Sequence, residues 1–259
     1  MKALFEKIVA NFVELGNNIS QNVGYLAGFL GIIAGVFLVA FVLEKLAQKK
    51  RGVKEKIFTT RKIAMIGMFS AIAAVIMLFE IPLGFAPPFY KLDFSELPIL
   101  IGTFAFGPVA GVMMEFLKIV LKLLIKGTST AFIGELANFT VGCSFIVTAS
   151  VIYDFKRTKK NAIWACIGGT IVLTVFGTAL NAFYLLPAFA ILFHKTVDDL
   201  LAMSPLLETN NIIVFVIVCV APLNIIKGVS NSVLTMLVYK PLSPIIKGTD
   251  RAKKKDKKG

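Results

Sequence analysis

The sequence predicts an all-α polytopic membrane protein, and three observations lead to that fold class. The 259 residues are 57% hydrophobic, the mean hydropathy is +0.81, and the net charge is nevertheless +13. The basic residues cluster beside apolar runs, with seven in 48–62, four in 154–160 and eight in 240–259. A soluble domain of this length does not combine such values. Because the charges lie at the ends of apolar segments, a membrane location explains them better than nucleic-acid binding.

Seven apolar segments alternate with these charged stretches and with shorter loops. We expect membrane-spanning helices near 23–44, 62–81, 95–106, 108–126, 134–153, 161–188 and 209–239. The third and fourth are short, and Gly107-Pro108 separates them. Treating them as two crossings puts all three basic regions on one side, as basic cytoplasmic loops require. The sequence thus predicts a six-helix core after one additional N-terminal helix, with the N-terminus outside and the C-terminus in the cytoplasm.

This arrangement divides the chain into four parts. They are an N-terminal segment with the accessory transmembrane helix (1–47), a basic cytoplasmic linker (48–61), a six-helix membrane domain (62–240) and a basic cytoplasmic tail (241–259). The accessory helix carries Gly24, Gly28, Gly31 and Gly35 on one face. Small residues at such spacing allow another helix to approach closely, so this face is expected to pack.

The most informative polar residues lie inside the last apolar segment. Asn224, Lys227 and Asn231 fall on one narrow face at helical pitch. A lysine at membrane depth costs about 2.5–3.5 kcal/mol, so it requires water, a partner or a ligand. We interpret this face as one wall of a binding site; the alternative is a lysine whose ammonium group extends to the lipid headgroups.

Further candidate contacts lie in the loop and helices that precede this segment. The loop 81–98 contains three prolines before its end, and its aromatic residues Phe89 and Tyr90 could cover a planar ligand or form an interfacial belt. Asn138 lies one turn inside the fifth segment. Asn181 lies near the outer end of the sixth, where it would contact a ligand or bond to a neighbouring helix.

Several charged residues have simpler structural explanations. Asp93 and Glu96 have the spacing of a helix capping box, which we favour over paired catalytic carboxylates. Lys118, Lys122 and Lys126 form a stripe at steps of four, for which we predict an ion pair of Lys118 with Glu115 and side chains that extend toward headgroups. For Glu135 in the fifth segment, helix capping and pairing with a lysine both remain open.

Signatures of catalysis and of metal binding are missing from the sequence. There is no phosphate-binding loop, no His-Glu-x-x-His motif and no Gly-x-Ser-x-Gly motif. The three cysteines lie in apolar runs as small core residues, and the single His194 lies in a loop as a surface residue. We therefore predict no catalytic residue, no metal site and no cofactor.

Four motifs together resemble the riboflavin-specific S components of energy-coupling factor (ECF) transporters. The resemblance covers about residues 60–240. In chain order, the motifs are Lys91-Leu-Asp-Phe-Ser-Glu-Leu-Pro98, Phe106-Gly-Pro-Val-Ala-Gly111, Gly134-Glu-Leu-Ala-Asn-Phe139 and Asn224-Ile-Ile-Lys227. The additional N-terminal helix departs from the six-helix pattern of that family.

The resemblance implies a substrate-binding membrane subunit that captures riboflavin from outside the cell, with FMN as a further candidate ligand. Its implied partners are a transmembrane coupling protein and two cytoplasmic ATPases. The ligand-binding residues expected on this basis are Asn224, Lys227, Asn181, Asn138, Phe89, Tyr90, Leu92 and Asn231. Coupling is expected through small residues of the first core helix, either Gly67 with Ala71 or Ser70 with Ala74. The alternatives are an S component for folate, thiamine or pantothenate, and a structural membrane subunit without a ligand.

Overall fold

The computed structural model describes residues 23–205, 207 and 209–256, with side chains described for 27–205, 207 and 209–238. Within these residues the chain is built from helices and one short hairpin. The helices are α1 (Val23–Lys50), α2 (Thr60–Met77), α3 (Glu96–Phe106), α4 (Pro108–Lys126), α5 (Ile133–Phe155), α6 (Lys159–Leu180), α7 (Leu186–Leu192), α8 (Val197–Leu201), α9 (Ile212–Phe215) and α10 (Ala221–Asp256). The antiparallel strands are β1 (Ile81–Pro82) and β2 (Lys91–Leu92), with Ile81 opposite Leu92.

The predicted all-α membrane fold is confirmed. Five helical stretches in the described residues are long and apolar enough to cross a membrane: 27–50, 60–77, 133–155, 159–192 and 212–238. A shorter apolar helix, α3, and the lysine-bearing α4 occupy the third and fourth predicted segments. Each of the seven predicted segments therefore corresponds to one continuous helical stretch, which we call a rod. Helix α1 runs three residues beyond the predicted boundary at 47.

Helix ends follow the local sequence. Thr59 and Thr158 accept hydrogen bonds from the first turns of α2 and α6 through their side chains. Asn211 does the same for α9, and Thr196 forms a capping box with Asp199. Gly107 has φ +97°, which only glycine adopts readily, and Pro108 then starts α4. This glycine therefore allows the chain to reverse between α3 and α4.

The core is centred on α3, which is buried along almost its whole length. It contacts α2, α4, α5 and α10. A half-length helix that neighbours surround on all sides needs no polar face, which explains why its sequence is nearly uniformly apolar. Large apolar side chains on α6, such as Ile171 and Val175, remain exposed as a lipid-facing surface.

The accessory helix α1 packs against α4 and α5. Its buried face contains Phe29, Ile33 and Ala40. The glycine face predicted to pack points elsewhere: a Cβ atom at Gly28, Gly31 or Gly35 would meet nothing within 4 Å. The larger apolar side chains on the other face bury more surface against the core, so they determine the orientation of α1. Gly24 lies outside the residues whose side chains are described.

Only one of the two small-residue pairs on α2 is accessible to a partner. Ser70 is fully buried, its hydroxyl donates to the Ile66 carbonyl at 2.6 Å, and Ala74 is buried as well. The neighbouring helices cover Ser70 and Ala74, so of the two alternative pairs this one is less accessible to a partner. Gly67 and Ala71 are exposed on the opposite face of α2.

Two π-helical turns interrupt the long sixth and seventh rods. They span Asn181–Leu185 and Val216–Val220, and they contact each other. A π-helical turn inserts one residue and redirects the side chains that follow, and it often occurs at functional sites. Both turns border the cavity described below.

Candidate functional site

A cavity of about 700 Å³ opens at the end of the bundle that carries the β-hairpin. Its walls come from the hairpin loop, the end of α4, the start of α5, the first π-helical turn with α7, and the start of α10. Most of these elements are membrane-spanning helices, so the cavity extends into the apolar layer of the molecule. A volume of this size is typical of a pocket for a small organic ligand.

One side of the cavity is aromatic. Phe89 from the hairpin loop lies 5.2 Å from Phe189 and 6.3 Å from Phe193, measured between ring centroids. Phe189 and Phe193 are themselves stacked at 5.8 Å. This arrangement ties the loop to α7 and presents flat apolar surfaces to the cavity. The loop thus forms part of the cavity wall.

Tyr90 and Asn181 join the loop to the first π-helical turn. The Tyr90 hydroxyl donates to Asn181 Oδ1 at 2.7 Å, and Asn181 Nδ2 donates to the Gly177 carbonyl at 2.7 Å. Desolvation raises the pKa of the Tyr90 hydroxyl above its ordinary value, so this group remains a donor. Both side chains line the cavity, and their mutual hydrogen bond fixes the position of the loop.

Asn224 is the polar residue of the cavity wall with an unused donor. It is 4% exposed, and its buried amide nitrogen has no hydrogen-bond partner among the described residues. The absence of a side chain at Gly177 makes room for this amide, since a Cβ there would lie 2.8 Å from Asn224 Nδ2. A buried amide without a partner is costly, so this geometry suits a ligand that brings a hydrogen-bond acceptor.

Lys227 lies one turn further along α10 and is held by three groups. Its Nζ is 3.3 Å from Asp93 Oδ2, 3.2 Å from Glu96 Oε1 and 3.3 Å from Asn138 Oδ1. Lys227 is 6% exposed, so its ammonium group does not reach the lipid headgroups. The charge is balanced inside the protein, and both Lys227 and Asn138 line the cavity.

The capping box expected at Asp93 and Glu96 is not formed. Helix α3 begins at Glu96 after Ser95, and Asp93 accepts hydrogen bonds from the amide and hydroxyl of Ser95 rather than from the third residue of a helix. Burial favours protonation of Asp93, but Lys227, Lys118 and these hydrogen bonds outweigh it and lower the pKa of the carboxyl group. The two carboxylates are counter-ions for buried lysines.

The lysine stripe of α4 is engaged with carboxylates. Lys118 pairs with Glu115 at 2.6 Å, as predicted, and with Glu96 at 3.4 Å. The predicted extension toward headgroups is wrong for Lys118, which is fully buried, and for Lys122, which pairs with Glu135 of α5. A buried ammonium group needs a nearby carboxylate to remain charged, and the three glutamates supply those carboxylates.

A second polar cluster lies where α4 and α5 meet the cavity. Glu135 pairs with Lys122 and accepts hydrogen bonds from the hydroxyls of Thr128 at 3.0 Å and Thr130 at 3.1 Å. Of the two possibilities left open for Glu135, pairing with a lysine is therefore the one observed. All four residues line the cavity.

At the opening of the cavity, Glu80 joins the hairpin to α4. Its Oε2 lies 2.8 Å from Lys126 Nζ and 3.0 Å from Lys91 Nζ. Burial alone would raise the pKa of Glu80, but the hydrogen bonds and charges of the two lysines lower it below its ordinary value. We refer to these three residues as the Glu80 clasp.

Two of the expected contact residues lie behind the cavity wall. Leu92 is buried without lining the cavity, and Asn231 Nδ2 donates to the backbone carbonyls of Lys227 at 3.0 Å and Asp93 at 3.4 Å. The other six expected residues line the cavity together. No group of His, Cys, Asp and Glu in the described part of the chain suits a metal ion.

Sequence reasoning missed the contributions of Glu80, Lys122 and the threonines of 128–130. A signal for them was present, since three lysines repeating every four residues within an apolar helix require carboxylates from elsewhere. What the sequence did not indicate was which carboxylate meets which lysine, because those pairs join residues 13 to 46 positions apart.

Comparisons with known proteins agree with this architecture. Residues 61–239 match the family model described as "ECF transporter, substrate-specific component". The riboflavin transporter RibU of Staphylococcus aureus (strain TCH60) is 37% identical over 187 residues, which cover 72% of this chain and 93% of that protein. The riboflavin transporter FmnP of Bacillus subtilis (strain 168) is 30% identical over 187 residues, with 72% and 94% covered.

A solved structure gives the same result at the level of the fold. It is described as "Structure and mechanism of the S component of a bacterial ECF transporter", and it is 36% identical to this chain. The TM-score is 0.58, and the match covers 72% of this chain and 98% of the other. The family model starts at residue 61, so α1 lies outside it.

Proposed function

This chain belongs to the family of ECF transporter substrate-specific components, and from that premise we propose that its cavity captures riboflavin for uptake by partner subunits. It is a multi-pass membrane protein of a transport system and not an enzyme. The observation that carries the proposal is the unpaired amide of Asn224 inside an aromatic cavity of about 700 Å³. Such a cavity suits a flat ligand that brings its own hydrogen-bond acceptor.

Riboflavin has the chemistry that this cavity requires. Its ring system is planar and apolar at one edge, and it carries carbonyl oxygens and an N–H group at the other. We propose that Phe89 and Tyr90 contact the ring faces and that Asn224 donates to a ring carbonyl. Asn138 and Asn181 supply further polar contacts beside it. Riboflavin is thus a transported ligand rather than a cofactor.

Lys227 has a double role in this proposal. Its ammonium group contributes to the cavity wall, and its contacts with Asp93 and Glu96 hold the loop before α3 in place. Asn231 supports the same loop through the Asp93 carbonyl, and Leu92 packs behind it. These two residues act on the ligand through the loop rather than by contact.

FMN is a second candidate ligand because cations surround the opening of the cavity. Lys91, Lys126 and Lys195 all line it. A phosphate group on the sugar chain of a flavin that enters ring-first would lie near these ammonium groups. The Glu80 carboxylate competes for two of them, which favours the neutral vitamin.

The chain has no recognisable site for ATP hydrolysis in its sequence, so energy for uptake must come from partners. The family suggests a transmembrane coupling protein with two ATPases. We propose that the exposed pair Gly67 and Ala71 on α2 receives a helix of the coupling protein, because small residues permit close approach. The basic segments 48–62 and 156–160 support an orientation with the cavity outside and the C-terminus in the cytoplasm.

A riboflavin titration of the purified chain tests the proposed function. Bound flavin beside aromatic residues should lose fluorescence, so we expect saturable quenching, and FMN, folate and thiamine serve as competitors. Displacement by FMN alone would support the second candidate. A chain that binds none of the flavins would contradict the proposal, and binding of another vitamin would reassign the ligand.

A further inference from the structure

Helix α1 is not matched by the family model, yet it is joined to the core by specific contacts. Phe29 packs edge-on against Phe139 of α5, with ring centroids 6.1 Å apart. Phe37 packs in the same way against Phe116 of α4 at 6.5 Å. A helix that served only as a membrane anchor would not need to contact two core helices at once.

The most specific contact is made by Glu44, a carboxylate within the apolar helix. Glu44 is 3% exposed, and its Oε2 accepts a hydrogen bond from the Val109 amide at 3.1 Å. Val109 lies in the first turn of α4, where backbone N–H groups have no partner within the helix and the helix dipole favours a negative charge. Lys62 at 3.9 Å from Glu44 Oε1 balances that charge.

The site of this contact is the chain reversal at Gly107. A Cβ atom at Gly107 would lie 3.0 Å from Glu44 Oε2, so the carboxylate fills the space that the glycine leaves. Gln48, one turn further along α1, donates to Glu44 Oε1 at 3.4 Å and fixes its orientation. The start of α4 is therefore capped by a side chain from α1.

A second contact, an ion pair, joins the end of α1 to α5. Arg51 follows the last residue of α1, and its guanidinium group lies 3.8 Å from Asp154 near the last turn of α5. Together with Glu44, this residue fixes the start of α4 and the end of α5. Those two ends lie beside each other, because the two helices run antiparallel through the bundle.

The opposite ends of the same two helices form the cavity. Lys122 and Lys126 of α4, and Glu135 and Asn138 of α5, all line it. Helices are stiff, so an element that fixes one pair of ends also restricts the separation of the other pair. We propose that α1 is a brace for α4 and α5, and that Glu44 is a positioning residue for the ligand cavity; this inference rests on the proposed function of that cavity.

Full-length variants at Glu44 test the brace. Glu44→Ala removes the acceptor of the Val109 amide, and we expect the Kd for riboflavin to rise on the order of tenfold. Glu44→Gln retains a side-chain oxygen as acceptor and should bind within about twofold of wild type. Lys45→Ala, at the next and exposed position of α1, is the matched control and should leave the Kd unchanged.

Comparing the Kd with the unfolding temperature separates a positioning role of Glu44 from a purely stabilising one. All titrations are made well below the unfolding temperature of each variant, which is measured in parallel. A Glu44→Ala protein that melts earlier but binds riboflavin with the wild-type Kd would overturn the positioning role alone. Failure of the wild-type chain to bind riboflavin would overturn the proposed function and this role together.

A crosslink tests whether α1 stays docked while the ligand is bound. Phe37→Cys combined with Phe116→Cys places two thiols at a contact between α1 and α4. A short, reducible bifunctional thiol reagent should link them, and the linked chain should bind riboflavin as well as the same chain after reduction. Either single variant is the control. Absence of the link, or loss of binding that reduction restores, would contradict the brace.

Discussion

In the proposed site, ligand recognition depends most directly on Asn224, because its amide nitrogen lines the cavity and is buried without a partner among the described residues. Neighbouring polar groups are already engaged: Asn181 with Tyr90, and Lys227 with Asp93. A ligand that contacts these groups exchanges one hydrogen bond for another, whereas Asn224 gains one. The largest gain on binding is therefore expected at Asn224.

The first prediction concerns this gain. Asn224→Ala should raise the Kd for riboflavin about two- to tenfold, since a hydrogen bond of this kind contributes about 0.5–1.5 kcal/mol. Ser230→Ala is the control on the same helix, because within the described residues that hydroxyl bonds only to the backbone carbonyls of Ile226 and Lys227 and is not part of the cavity wall. Fluorescence titration measures both. An equal Kd for the two variants would contradict the role of Asn224.

The second prediction concerns the buried charges beneath the cavity. Lys227→Met removes a cation from Asp93 and Glu96 and should destabilise the protein by about 3–5 kcal/mol, because a buried carboxylate is left with less compensation. Combining it with Asp93→Asn should recover part of that loss. Thermal unfolding in detergent measures both proteins. A double variant less stable than the single one would show that the pair does not interact as described.

At the scale of elements, the Glu80 clasp links the β-hairpin to the end of α4. The lowered pKa of Glu80 means that its ionised form is favoured by folding. The stabilisation is therefore present above the ordinary pKa of 4.5 and decreases as the pH falls through the lowered value in the folded protein. Acid should loosen the loop that covers the cavity.

The third prediction is that acid removes this stabilisation. Between about pH 5 and pH 3, the unfolding temperature of the wild-type chain should fall more steeply than that of Glu80→Gln, which has no charge to lose. Lys126→Gln leaves the Glu80–Lys91 pair in place and should show an intermediate slope, whereas Lys54→Gln, in the exposed linker, should follow the wild type. Parallel pH profiles for wild type and Glu80→Gln would contradict the clasp.

The sequence was sufficient to predict the helices and insufficient to predict how their charges pair. Apolar length predicted where all seven helices begin to within three residues, because a bilayer leaves the backbone few other structures. It did not predict the end of α10, which continues to Asp256, beyond the expected end at 239. The spacing of Asp93 and Glu96 indicated a local cap, but a buried lysine 134 residues away from Asp93 binds it instead. Tertiary contacts of this kind have no periodic signature.

The sequence was also insufficient to predict which face of a helix is buried. The glycines of α1 and the pair Ser70 and Ala74 have the spacing of packing motifs, yet the first face is exposed and the second is covered within the chain. Spacing identifies residues that share a face, whereas the burial of neighbouring large side chains decides which way the face points. By contrast, six of the eight expected contact residues do line one cavity.

At the scale of the whole molecule, the proposed ligand cavity and the proposed coupling surface lie on different parts of the chain. The cavity lies among α4, α5 and α10, while Gly67 and Ala71 are on the exposed face of α2. Helix α1 covers another part of the core, against α4 and α5. A partner can therefore contact α2 without entering the cavity or displacing α1.

The fourth prediction uses this separation. Gly67→Leu should reduce co-purification with the coupling protein and vitamin uptake by cells, while riboflavin binding to the isolated chain stays unchanged. Met68→Leu, which places the same leucine at the neighbouring exposed position but conserves side-chain volume, should assemble normally. Normal uptake by the Gly67→Leu protein would contradict the proposed coupling surface.

The central claim is that the cavity at the hairpin end of the bundle is the riboflavin site, and filling the cavity tests it most directly. Ala137 lines the cavity, whereas Val229 is 47% exposed on the outer surface of α10. We predict that Ala137→Trp abolishes saturable quenching of riboflavin fluorescence and that Val229→Trp retains it. Undiminished riboflavin binding by a folded Ala137→Trp protein would contradict the account.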